Sequence, residues 1–96
     1  MLNEREFLER ARLDRATLEV WIRQEWLAPG RSAAERTFTD MDLARARLIA
    51  DLKHNMGIND EGLDVILHLV DQMHGLRRAL AETLAMLRER QVPRQS

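Results

Sequence analysis

The sequence contains no cysteine. That excludes disulfides, thiolate metal sites and cysteine nucleophiles, and it fits a reducing cytoplasm, the compartment expected here. Tyrosine is also absent and β-branched residues are few, whereas Leu, Ala, Arg and Glu dominate. Such a composition points to an all-helical fold. No apolar run approaches the roughly 20 residues of a membrane-spanning helix, and the opening M-L-N-E-R-E-F-L-E-R is charged throughout, unlike a signal peptide. No charge of one sign prevails: 15 Lys and Arg stand against 16 Asp and Glu, a net −1. This argues against a dedicated nucleic-acid binder, which is usually basic over its domain. With 96 residues there is room for one small domain plus an extension.

What is present is dominated by one stretch, Gly57 to Gln91. It reads as a single helix of about thirty residues, well beyond the usual 10–14. Asn59 can cap its start, and Asp60, Glu61 and Asp64 fall near the positive end of the helix dipole. Arg77, Arg78, Arg88 and Arg90 crowd the far half, and Pro93 closes it. Ile66, Leu69, Met73, Leu76, Leu80 and Leu87 recur in steps of three and four, the spacing of a coiled-coil seam. Leu63, Leu67, Val70 and Leu84 widen the apolar surface. One helix cannot cover both surfaces, so one packs on the N-terminal part of the chain and the other is expected to meet a second copy. Without the long helix only about sixty residues remain for a core, a size at which dimerisation helps stability.

Upstream, Asn3 and Glu6 form a capping box for a short first helix with Phe7, Leu8 and Ala11 on its inner face. Asp14 caps a second helix running to about Glu25, with Leu18, Trp21 and Ile22 inside. Two short helices and a tight turn make a helix-turn-helix. Pro29, Gly30 and Ser32 mark a wing-like loop in which R-T-F-T reads as a short strand. Thr39 and Asp42 cap a third helix reaching about His54, expected to bury Met41, Leu43 or Leu48, Ile49 and Leu52. Gly57 ends it. The expected division is therefore 1–58 as a helix-turn-helix domain with a short wing, 59–91 as a dimerisation and partner-binding helix, and 92–96 as a disordered tail.

This order resembles the winged-helix domains of MerR-type regulators. Thr17-Leu18, Trp26-Leu27-Ala28-Pro29, Arg36-Thr37-Phe38-Thr39 with Asp42-Leu43, and Gly57-Ile58-Asn59 are each similar to a MerR-family motif, and together they cover most of residues 3–66. The departures are informative. MerR recognition helices carry an arginine and two tyrosines where this chain has Glu19, Val20 and Trp21, and a carboxylate repels phosphate. From Arg15 to Arg36 four arginines stand against Glu19, Glu25 and Glu35. Over residues 3–90, and most specifically over M-G-I-N-D-E-G-L-D-V-I-L-H-L-V-D-Q-M-H-G-L-R-R-A-L, the chain resembles the CbpM family of chaperone modulators. That resemblance implies binding to the J-domain of a CbpA/DnaJ-like co-chaperone, which inhibits its stimulation of DnaK, without catalysis or cofactor.

J-domains, as a family, present a basic helix, so a binder should offer carboxylates. Residues 59–76 supply Asp60, Glu61, Asp64 and Asp71 with no Lys or Arg. Asp60, Asp64, His68 and Asp71 share a helical face, and Asp40 and Asp42 are candidates to join them. The plainer alternative is a solvated face that only complements the helix dipole. His68 and His74 are spaced to point apart, which disfavours a shared metal. Ser32 and Ser96 have no base nearby, so no enzyme is expected. Trp21 and Trp26 read as core, with an exposed hot spot as the other possibility. Arg31 and Arg36 keep alive the alternative of a small MerR-like DNA-binding regulator. Gly62 and Gly75 either admit a close neighbour or are merely tolerated in the long helix.

Overall fold

The computed structural model describes residues 1–91, and the expected tail at 92–96 lies outside them. The chain divides into two compact units, Met1–Asp64 and Val65–Ser96. The first contains strand β1 (Leu2–Asn3), helices α1 (Glu4–Ala11) and α2 (Arg15–Arg23), strands β2 (Gly30–Ser32) and β3 (Glu35–Phe38), and helix α3 (Asp40–Ala50), which runs on as a π-helical turn over Asp51–Asn55. Helix α4 (Asp60–Gln91) begins there and continues through the second unit.

The caps are those expected. Asn3 and Glu6 bond reciprocally, Asn3 Oδ1 accepting from the Glu6 amide at 2.8 Å and Glu6 Oε1 from the Asn3 amide at 3.1 Å. Asp14 accepts the Thr17 amide at 2.7 Å, Thr39 and Asp42 form the capping box of α3, and Asn59 accepts the Gly62 amide at 2.8 Å. Each satisfies amides that the first turn of a helix leaves without partners. The far ends close through left-handed residues: Arg12 (φ 56°) after α1, Glu25 (φ 63°) after α2 and Gly57 (φ 65°) after the π-turn. At Glu25 this lets the amides of Trp26 and Glu25 bond back to the carbonyls of Trp21 and Ile22, the pattern of a Schellman close.

Three expectations need correction. The domain is not all-α: the short strand read at R-T-F-T is the middle member of an antiparallel sheet of order β1-β3-β2. Phe38 pairs with Leu2, and Thr37 pairs with both Asn3 and Gly30. Gly30 allows this close pairing: a Cβ there would stand 3.0 Å from the Thr37 hydroxyl oxygen, which would have to give way. Met41 is exposed, not buried. The inner face of α3 and its π-turn carries Leu43, Ala46, Ile49 and Leu52 in steps of three, and Met41 lies two residues, about 200°, away from Leu43. Helix α2 stops at Arg23, because Glu25 already has positive φ.

The core of the first unit joins Phe7, Leu18, Trp21, Trp26, Leu27, Phe38, Ile49 and Leu63, each almost wholly buried. Phe7 and Phe38 stack with centroids 4.1 Å apart, tying α1 to the sheet. Such a pair adds roughly 0.5–1.5 kcal/mol beyond the area it buries. Trp21 and Trp26 lie tilted at 6.5 Å, both inside, as expected of core residues. Among the described residues no polar or charged residue is buried.

Candidate functional site

Two surface clusters of the first unit carry charge in defined geometry. The first joins α1, α2 and the hairpin. Glu19, in the middle of α2, accepts from Nη1 and Nη2 of Arg36 on β3, the second contact at 3.2 Å. Arg36 Nη1 also reaches Glu4 at 3.2 Å, and the other oxygen of Glu4 lies 3.4 Å from Arg15 Nη2. Planar guanidinium and carboxylate forks match in this arrangement, the strongest form such a bond takes. Its electrostatic signature is mutual: the Arg36 hydrogen bond holds the Glu19 carboxyl below its ordinary range, and Glu19 in turn raises Arg36. The cleft these side chains line encloses about 590 Å³.

The second cluster lies at the start of α4. Asp60 is ion-paired to Lys53 of the π-turn at 3.0 Å. The same ammonium sits 5.5 Å from the centroid of the Trp26 ring, a cation–π distance. The indole Nε1 of Trp26 donates to Asp64 at 2.6 Å. Glu61, between them in sequence, is exposed. Three carboxylates thus come together on one and a half turns, as the sequence predicts, but two of them are engaged within the fold. Asp42 is likewise engaged in capping Thr39, while Asp40 stands exposed beside it on the first turn of α3. In the second unit Asp71 is exposed, and His68 Nε2 lies 3.2 Å from Gln72 Nε2. Among the described residues no three His, Asp or Glu side chains gather as a metal site.

Lys53, Glu4 and the pairing of Arg36 with Glu19 were not legible beforehand. The partners are 32 and 17 residues apart for the two Arg36 contacts, and no local pattern encodes such a meeting.

Within the second unit, Leu69, Met73, Leu76, Leu80, Leu84 and Leu87 are all exposed, Leu76 by 72% and Leu80 by 59%. Ile66 is half-buried. Among the described residues no helix is long and apolar enough to cross a membrane.

Capped helices in helix-turn-helix order, a three-stranded wing and a long final helix define a winged helix-turn-helix protein. The family model of the MerR HTH family regulatory proteins matches residues 2–88, and the chain belongs to that family. Neither the curated proteins nor the solved structures provide a match.

Proposed function

We propose that this chain is a chaperone modulator of the CbpM type, which binds the J-domain of a CbpA/DnaJ-like co-chaperone and prevents it from stimulating DnaK. The observation that carries this reading is the Glu19–Arg36 pair. Affinity for a duplex comes largely from cations that neutralise phosphates, and here the helix of the motif that would face a groove spends its central position on a carboxylate that consumes the wing's arginine. The start of α4 adds a second support. Asp60, Glu61 and Asp64 form an acidic surface of the sign that a basic J-domain helix needs, and such complementarity acts mainly on association rate and specificity. The exposed leucines of α4 support self-association, because contiguous apolar stripes of this kind mark protein contacts. The functional form is a homodimer.

A second reading, a small DNA-binding regulator, draws on the family match itself. One calorimetric comparison decides between them: titration of the intact protein with an isolated CbpA-type J-domain, beside a promoter-length duplex. Saturable binding of the J-domain with only weak, salt-labile heat from DNA is the expected result. No heat from the J-domain, with tight and sequence-dependent DNA binding, overturns it.

A further inference from the structure

The guanidinium fork that meets a carboxylate through two nitrogens is the same fork that meets a phosphate. Arg36 presents it at the junction of α2 and the hairpin, and Glu19 fills it with both oxygens. Glu4 shares Arg36 Nη1 with Glu19 and bridges it to Arg15 Nη2. Arg31 lines the same open cleft. Arg5, Arg15, Arg31 and Arg36 therefore line one cleft where the second helix of a helix-turn-helix meets its wing, together with Glu4, Glu19 and Glu35, and of these carboxylates Glu19 and Glu4 are the two that pair with Arg36.

We propose that Glu19 and Glu4 are an internal phosphate mimic, masking a latent nucleic-acid phosphate site made by Arg36, Arg15 and Arg31. In this view the scaffold kept the geometry for grasping a sugar–phosphate backbone and lost its use through two side chains. An incoming phosphate must displace Glu19 and then remain close to its charge, so the wild-type face rejects DNA instead of merely failing to attract it. The Arg36 hydrogen bond holds the Glu19 carboxyl below its ordinary range, so the mask stays charged further into acid than a free glutamate would. The inference rests on the proposed function in one respect: the native protein does not employ DNA as its partner.

The test measures fluorescence anisotropy of a labelled mixed-sequence duplex with the full chain and its variants across a salt series. Glu19→Gln keeps the side-chain shape and removes the charge. It is expected to bind the duplex about an order of magnitude more tightly than wild type at low salt, with a salt slope steeper by about one phosphate contact. Glu4→Gln is a second, independent opening of the same site and should give a smaller gain. Glu82→Gln makes the same change of net charge on α4 and should gain little. Adding Arg36→Ala to Glu19→Gln should abolish the gain. The mask is overturned if Glu19→Gln and Glu4→Gln, folded by circular dichroism, bind no better than Glu82→Gln, or if the gain survives loss of Arg36. Titration of the same variants with a J-domain keeps the two proposals apart. Weak wild-type DNA binding with retained J-domain binding and no gain at Glu19 removes the mask alone, whereas tight wild-type DNA binding removes the modulator reading as well.

Discussion

The indole nitrogen of Trp26 donates to the carboxylate of Asp64 across 2.6 Å, joining the loop after α2 to the first turns of the long helix. Asp64 serves the fold before it serves any partner. Asp64→Ala takes the acceptor from a partly buried N–H and is expected to cost roughly 1–3 kcal/mol, read from urea melts. Asp64→Asn, which keeps an oxygen there, should cost less. Equal losses would show that the bond contributes nothing of its own.

Charge reversal at Asp60 and Glu61 tests the docking surface, and Lys53→Ala, which frees Asp60 of its ion pair, controls for the loss of that contact. Lysines at these two positions should slow J-domain association several-fold and weaken its salt dependence, whereas lysines at Glu82 and Glu89 should do neither. Stopped-flow association rates measure both. A similar slowing from the two pairs would leave the acidic start of α4 without a binding role.

The exposed stripe of α4 predicts a dimer that single substitutions can split. Leu76→Asp and Leu80→Asp alter side chains that lie in solvent within one chain, so they should leave the first unit folded. Light scattering should then report half the wild-type mass, with some loss of helical signal from α4. If wild type already scatters as a monomer, the stripe does not pair with its own copy.

The two glycines of α4 are not equivalent. A Cβ on Gly62 would meet Ile58 Cγ2 at 2.8 Å and the Asn59 cap oxygen at 3.2 Å, whereas one on Gly75 meets nothing within 4 Å. Gly75→Ala should gain up to about 1 kcal/mol of helix stability, and Gly62→Ala should lose or forgo that gain. Thermal melts of the two variants provide the comparison.

Acid should weaken the first unit through Asp14 and Glu19. Both carboxyls are held below their ordinary values of 3.8 and 4.5, Asp14 chiefly by the Thr17 side chain and Glu19 chiefly by Arg36. A group whose pKa is lower when folded takes up its proton more readily once unfolded. It stabilises the fold above the ordinary value, and that stability is lost as pH falls through the folded one. Glu19→Gln should flatten part of this acid limb. An unchanged slope in melts between neutral and acidic pH would discount the pair.

Features encoded within four residues were legible in advance. Asn3 with Glu6, Asp14 with Thr17, and Thr39 with Asp42 are spacings a helix start imposes by itself, and Gly57 marks a stop for a comparable reason. The length of α4 was legible because its apolar period persists for many turns. What escaped was tertiary in origin. Strand β1 is only two residues long and exists because β3 offers it an edge. Lys53 gains its place from Trp26 and Asp60 together. The carboxylates at 60–64 were correctly read as a group on one helix start, but their spacing gave no sign that Trp26 and Lys53 would occupy two of them.

The central position of β3 has a kinetic consequence. Leu2 and Asn3 pair with Phe38 and Thr37, and Phe7 stacks on Phe38. The first helix therefore has no lasting support until the chain has returned from some thirty residues away, a non-local step of the kind that slows folding. A substitution that delays the β2–β3 hairpin should thus retard the whole domain, though the hairpin is among its smallest parts.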